Sequence, residues 1–500
     1  MRGRKALYNT LFAIIQEVVS VLCAFILPRL ILESFGSTYN GLTQSITQFL
    51  GMAVLLRAGI GGATRAALYK PLSEENINGI SAIMNATAIH LRKISVIIGS
   101  CIVGFACIYP FFVLGEFNWL FTFTLFLIIG FSTFAETMFG ISGLILLQAD
   151  QKLYIYSIIS IISIILNTAI SALLINLGCS IHIVKMGSAF AFCLKPLLIN
   201  IYIHHYYRID KSITPDYSAI KQRWDAFFHQ LANFVMSNTD IVVLTVFVPM
   251  KEVSVYSVYN LISTGIRRLV MNFTNGMEAG FGNMIASRET ETVKKNFEMV
   301  QTMIFFIASI VYITSALLIL EFVGVYTKGI NDSNYIRPLF AYVLVASQFF
   351  LCIRQPYQLI VQAAGHYRQT RNGAILEPII NIIVSVVAVW WFGLVGVVCG
   401  TLAATIFRTI QYGVYVSKNL VEGCHLSLLK NLFISIIDIA VVIIIYQFIP
   451  LESTSSYFEW VIHAIIAMAI TSACTVGFMV VFQRTQFVMM IKKMYKIIKR

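Results

Sequence analysis

LYIYSIISIISIILNTAISALLINL, residues 153–177, runs its whole length without an Asp, Glu, Lys or Arg. A helix needs about 20 mostly apolar residues to cross the hydrocarbon core of a bilayer, so this stretch predicts a membrane span. Asp150-Gln151-Lys152 stops it on one side and Gly178 on the other. The same ruler, moved outward, finds spans at 8–33, 41–66, 83–113, 118–147 and 181–203. Beyond a polar stretch it finds 227–249, 254–284, 298–326, 336–362, 373–392, 395–416, 430–449 and 457–483, fourteen in all. The expectation is an all-α integral membrane protein.

Composition agrees. The 500 residues are 58% apolar and 12% charged, half the roughly 25% charge of an average soluble domain, and the mean hydropathy is +0.80. A soluble enzyme is excluded, because one water-soluble core cannot hide that much apolar surface. The net charge of +13 is spread between apolar runs and forms no basic domain for nucleic acid. With both termini cytoplasmic, 25 Lys and Arg fall on the inner side, and only Lys251, Lys328 and Arg337 lie in outer loops. That bias obeys the positive-inside rule. The nine cysteines show no CxxC or His/Cys cluster, so no metal and no disulfide framework is expected. Met1-Arg-Gly-Arg-Lys5 leads into a hydrophobic segment without an Ala-x-Ala-type site, so no cleavable signal peptide is expected.

The longest polar interruption, Tyr206 to Trp224, divides the chain. The expected organisation is a six-helix lobe over 1–205, a cytoplasmic linker over 206–226 and a second six-helix lobe over 227–418. Two appended helices over 428–484 and a basic cytoplasmic tail over 485–500 follow. Within the linker, Tyr217 to Arg223 reads as a short amphipathic helix at the interface. The halves echo each other. Ala58-Gly59-Ile60-Gly61-Gly62 resembles Asn275-Gly276-Met277-Glu278-Ala279-Gly280, and Leu147-Gln148-Ala149 resembles Val361-Gln362-Ala363, each pair about 215 residues apart. Lobes in the same orientation predict a pseudo-twofold parallel repeat about the membrane normal.

Several runs carry a family likeness: Leu7-Tyr8-Asn9, Leu27-Pro28-Arg29-Leu30-Ile31, and Tyr39-Asn40-Gly41-Leu42 followed by Ser45-Ile46 and Phe49-Leu50. The most specific is Arg57-Ala58-Gly59-Ile60-Gly61 with Leu68-Tyr69-Lys70-Pro71-Leu72. Together they resemble the Wzx-type O-antigen and capsule flippases of the multidrug/oligosaccharidyl-lipid/polysaccharide exporter (MOP) superfamily. The specific motifs lie in residues 7–72, and the rest matches in pattern. The resemblance implies a bacterial inner-membrane protein that moves an undecaprenyl-diphosphate-linked oligosaccharide from the inner to the outer leaflet.

Ionisable residues deep in a span cost about 2.5–3.5 kcal/mol or more to insert and are functional candidates. The basic ones are Arg29, Arg57, Lys185, Lys195, Arg267, Arg268, Arg354 and Arg408; the acidic ones are Glu17, Glu136, Asp240, Glu377 and Asp438. A diphosphate crossing the membrane needs cations, and guanidinium grips phosphate oxygens bidentately. In the resembled family the helices of Arg29, Arg57 and one of Arg267 and Arg268 line a central cleft; Lys195 and Arg408 are second-rank members. Two readings stand for Arg29, head-group binding and snorkelling to the outer interface; Lys185 favours the second. Arg267 and Arg268 point about 100° apart, so one of them faces the cleft. Asp240 reads either as an ion-pair partner or as a proton carrier. Glu17 and Glu136 are candidates for ion coupling or for Arg partners. Arg354 with Glu377 reads as a structural pair or inner gate, and Asp438 as a lipid or packing contact.

No P-loop, HExxH or nucleophile elbow is present, so the expectation is a transporter, not an enzyme, with no cofactor. Its expected partners are a polyprenyl-diphosphate-linked oligosaccharide, membrane lipids, and a polysaccharide polymerase with other assembly proteins, and not nucleic acid. The rival reading is a cation-coupled multidrug or metabolite exporter on the same fold. Eight basic against five acidic residues in the spans tilt against cationic cargo.

Overall fold

The computed structural model describes residues 2–57, 60–113, 115–217, 238–274, 277–449 and 454–489. Among them every regular element is helical. Contacts divide the chain into two units, Met1–Ser254 and Val255–Arg500.

The first unit contains α1 (Arg2–Phe35), α2 (Ser37–Val54) closed by a 3-10 turn (Leu55–Arg57), α3 (Ile60–Ser73), α4 (Ile77–Ile108) and α5 (Pro110–Val113). Then come α6 (Trp119–Ala135), a π-helical turn (Glu136–Gly140), α7 (Ile141–Ala149), α8 (Leu153–Asn176) and α9 (Ile181–Tyr206). The short apolar helix α10 (Asn238–Phe247) follows. Helix α11 (Met250–Asn272) crosses the division. The second unit continues with α12 (Met277–Ala286), α13 (Thr290–Tyr326), α14 (Pro338–Ile353), α15 (Gln355–Ala363), α16 (Tyr367–Phe392), α17 (Leu394–Asn419), α18 (Cys424–Gln447) and α19 (Tyr457–Phe482).

Eleven spans among the described residues are long and apolar enough to cross a membrane, and twelve if α2 and α3, bent by 43°, count as one. The chain is therefore a multi-pass membrane protein. Two of the fourteen expected spans remain. Residues 227–237 of one lie outside the described residues, as do most of the expected interfacial helix 217–223 and the tail from 490. The other, 254–284, is two helices, α11 and α12, of which α11 carries Arg267 and Arg268 and is more polar than the ruler allows.

Sequence fixes the joints. Asn76 caps α4 by accepting from the Gly79 amide, and Asn118 caps α6 by accepting from the Leu120 amide. Ser456 and Glu459 form a reciprocal capping box at α19. The spans show lipid-facing apolar surface: Leu7, Leu11, Ile14, Val18 and Leu22 on α1 are all exposed, as is the aromatic end of α16, Trp390-Trp391-Phe392.

The element order recurs along the chain. The starts of α2, α3, α4, α6, α8 and α9 are followed 213 to 219 residues later by those of α11, α12, α13, α14, α16 and α17. Left-handed backbone positions follow the same interval: Glu75 and Arg288, Gln151 and Gly365, Gly178 and Gly393. Lys195 stands as far into α9 as Arg408 stands into α17.

Helices α16 and α17 pack through Gly396 and Gly400, a small-xxx-small pair. A Cβ on Gly396 would overlap the Ala388 carbonyl, and one on Gly400 would lie 2.7 Å from the Ser385 amide nitrogen and 2.8 Å from the Asn381 carbonyl oxygen. Asn381 Nδ2 donates to Thr401 Oγ1 at 3.0 Å, and Ser385 Oγ donates to the Val397 carbonyl at 3.0 Å, tying the same face.

Candidate functional site

In the first unit, two interrupted spans bring charge together. Arg57 ends the 3-10 turn after α2, and Glu136 opens the π-helical turn between α6 and α7. Such turns change the helical register, which re-aims side chains, and are frequent at functional positions. Lys195 comes from α9, just before Pro196. A Cβ on Gly140 would stand 3.2 Å from the Pro196 Cβ, so the π turn sits directly on α9 at this point.

Lys195 Nζ donates to Glu136 Oε1 at 3.1 Å, and Arg57 Nη1 lies 4.0 Å from Glu136 Oε2. Arg57 Nη1 also donates to Thr137 Oγ1 at 3.2 Å. The Lys195 ammonium sits 4.5 Å from the centre of the Tyr156 ring on α8, a cation–π contact. Two cations thus share one carboxylate, which leaves one net positive charge inside a membrane unit. The three side chains retain 22%, 32% and 18% exposure for Arg57, Glu136 and Lys195, so the charge is reachable. Arg65 on α3 reaches across to Gln148 on α7 at 3.1 Å. Lys195 holds Glu136 closely, whereas Arg57 meets it only at the limit of ion-pair distance.

The other candidates fall elsewhere. Arg29 pairs with Glu33 at 2.5 Å along α1, while Glu17 is an exposed position of that helix and Asp240 a buried one of α10. Lys185 lies near the start of α9. In the second unit Arg267 is half-buried, close enough to the buried Tyr312–Cys352 contact to act on it electrostatically, and Arg268 is exposed. Arg408 is only 3% exposed. It donates to the Thr370 carbonyl, Gln411 and Tyr412, and pairs with Glu377, which Arg354 also holds. These contacts occupy the Arg408 fork within its own unit, whereas Glu136 meets both of its cations with 32% of its side chain still exposed.

Sequence reasoning missed a second cluster, beyond the span ends. Asp150 accepts from Lys5 at 3.2 Å, Lys152 at 2.7 Å and Tyr207 at 2.5 Å, and Asn9 of α1 hydrogen-bonds the Gln151 carbonyl and the Tyr154 amide. Burial pushes the Asp150 carboxyl up, but hydrogen bonds from Lys152 and Tyr207, the Lys152 charge and the Lys5 bond outweigh it and hold the carboxyl below its usual range. Burial and the same hydrogen bond push the Tyr207 phenol up. A lowered folded-state carboxyl stabilises above its unfolded value, about 3.9, and the stabilisation fades as pH falls through the folded value. Asp150→Asn is therefore expected to speed hydrogen exchange in the first turns of α1 at neutral pH. With intrinsic exchange divided out, the extra protection of wild type over the variant should vanish only below pH ~3.9. Equal exchange in both proteins at neutral pH would dismiss the latch.

No known family's sequence profile matches the chain, and neither does any curated protein sequence. Solved structures do. The lipid II flippase MurJ in an inward closed conformation superposes with a TM-score of 0.74 at 14% identity, over 96% of this chain and 99% of that one. An inward-facing multidrug resistance MATE family transporter of the MOP superfamily gives 0.60 at 14% identity, over 83% and 95%. A Vibrio cholerae MATE transporter gives 0.56 at 12% identity, over 84% and 97%. The chain shares the fold of this flippase and these transporters.

Proposed function

We propose that the chain is a flippase for a lipid-linked anionic oligosaccharide. The cargo would be an undecaprenyl-diphosphate-linked glycan repeat unit, moved from the inner to the outer leaflet of the bacterial cytoplasmic membrane for O-antigen, capsule or exopolysaccharide. The observation that carries this reading is the reachable two-cation, one-carboxylate cluster of Arg57, Lys195 and Glu136 in a fold shared with transporters. At rest Glu136 neutralises part of the charge and lowers the cost of keeping cations in the membrane. An arriving diphosphate brings more charge and more acceptor oxygens, takes Arg57 bidentately and Lys195 as a point charge, and displaces the carboxylate. Glu136 then competes for the cations again and promotes release. The polyprenyl tail stays in lipid while the head group crosses by alternating access. Arg29 and one of Arg267 and Arg268 are further cations on the proposed route, and a polymerase acting on the delivered glycan is the proposed downstream partner.

Coverage favours this reading over an exporter, since the match to the flippase spans 96% of the chain and those to the MATE transporters 83% and 84%. The resemblance of residues 7–72 to Wzx-type flippases points the same way. The test is rescue of surface polysaccharide in strains that lack their own O-antigen or capsule flippase. Restored surface glycan supports the proposal. A well-expressed chain that fails across several glycan backgrounds, yet lowers the accumulation of cationic dyes, would make it a multidrug exporter instead.

A further inference from the structure

Helices α13, α18 and α19 meet around polar side chains in a part of the second unit remote in sequence from the cluster just described. Asn431, Ser435 and Asp438 recur at i, i+4 and i+7 on α18 and so share one face. Ser309 of α13, Thr475 of α19 and Gln483 just beyond α19 join them in lining a cavity of about 20 Å³. A water-sized species needs roughly 10–15 Å³, so one fits. Asp438 is 1% exposed. Its Oδ2 accepts from Thr475 Oγ1 at 2.7 Å, while its Oδ1 is buried with no hydrogen-bond partner. Ser309 Oγ and Ser435 Oγ lie 3.1 Å apart. Gln483 donates to Asn431, whose own Nδ2 is buried without a partner. Turning both amides over preserves their bond and puts the Asn431 oxygen at that unpartnered position.

None of the lining residues is Lys, Arg or His. A carboxylate buried in a membrane without a compensating charge costs far more than a hydrogen bond returns. We infer that this cavity binds one dehydrated monovalent cation of the sodium class, held by Asp438 Oδ1 and the surrounding hydroxyl and amide oxygens. Oxygen-only donors suit a hard cation. One carboxylate balances one positive charge, and a divalent ion would leave a buried excess. The inference is independent of the cargo proposed above.

The test is equilibrium binding of radioactive sodium to the purified full-length protein in lipid nanodiscs, with choline replacing sodium in the controls. Wild type is expected to bind one sodium ion more than Asp438→Asn. Ser435→Ala, which removes one oxygen and leaves the carboxylate, should weaken that ion on the order of tenfold. Sodium should also raise the unfolding temperature of wild type more than that of Asp438→Asn. Equal sodium stoichiometry in wild type and Asp438→Asn, both folded and monodisperse, overturns the inference. So does a wild type that binds no sodium, which would leave Asp438 carrying a proton.

Discussion

Arg57→Ala is expected to cut glycan transport on the order of 10- to 100-fold, the loss of a charge-assisted hydrogen-bonding group worth roughly 1.5–3 kcal/mol. Arg57→Lys should keep part of the activity, because it restores the charge but not the fork. Glu136→Gln should act in the opposite sense on binding. With the resident carboxylate neutral, inorganic diphosphate meets less competition for Arg57 and Lys195, so its affinity rises while transport falls through slow release. The measurements are surface glycan in the rescue strain, normalised to expression, and diphosphate binding to the purified protein. Full transport by Arg57→Ala, or weaker diphosphate binding by Glu136→Gln, would remove this cluster from the cargo's path.

The second large effect is on folding. Gly396→Ala and Gly400→Ala each force a methyl group into backbone of α16, and each is expected to cost about 1–3 kcal/mol, with bulkier residues costing more. Against a typical total of roughly 5–15 kcal/mol, the double variant should lose most of its monodisperse fraction in fluorescence-detected gel filtration. Gly477→Ala on α19 is the contrast. Nothing lies within 4 Å of its added Cβ, so the change should be neutral or mildly stabilising through the helical preference of alanine. Similar behaviour of the two sites would show that close approach of α16 and α17 does not hold the second unit together.

Most of the architecture was legible because the bilayer demands one simple thing, a long uncharged run, and 153–177 supplies it openly. Where a span must also bend or carry charge, that signal fades. Residues 41–66 read as one helix, yet α2 and α3 part after Arg57, and 254–284 reads as one although α11 and α12 are separate. The site was half legible. Cost alone singled out Arg57, Lys195 and Glu136 as charges in spans, but the π-helical turn that sets Glu136 against both cations has no pattern in the sequence. Thr137 and Tyr156, which complete the cluster, are ordinary span residues until the fold brings them together. Asp150 escaped notice for the opposite reason: outside the membrane a charge is cheap, and its three donors come from residues 5, 152 and 207.

Lys195 and Arg408 hold the same place in α9 and α17, and their surroundings differ. Arg408 is sealed at 3% exposure by a carboxylate, a ring and two further acceptors, whereas Lys195 kept one carboxylate, one ring and access to the outside. The same position thus carries two kinds of cation, one locked into the packing of its own unit and one that its neighbours leave partly uncovered. A cation that cannot leave its partners makes a dependable strut, and Arg408 ties α16 to α17 in that way.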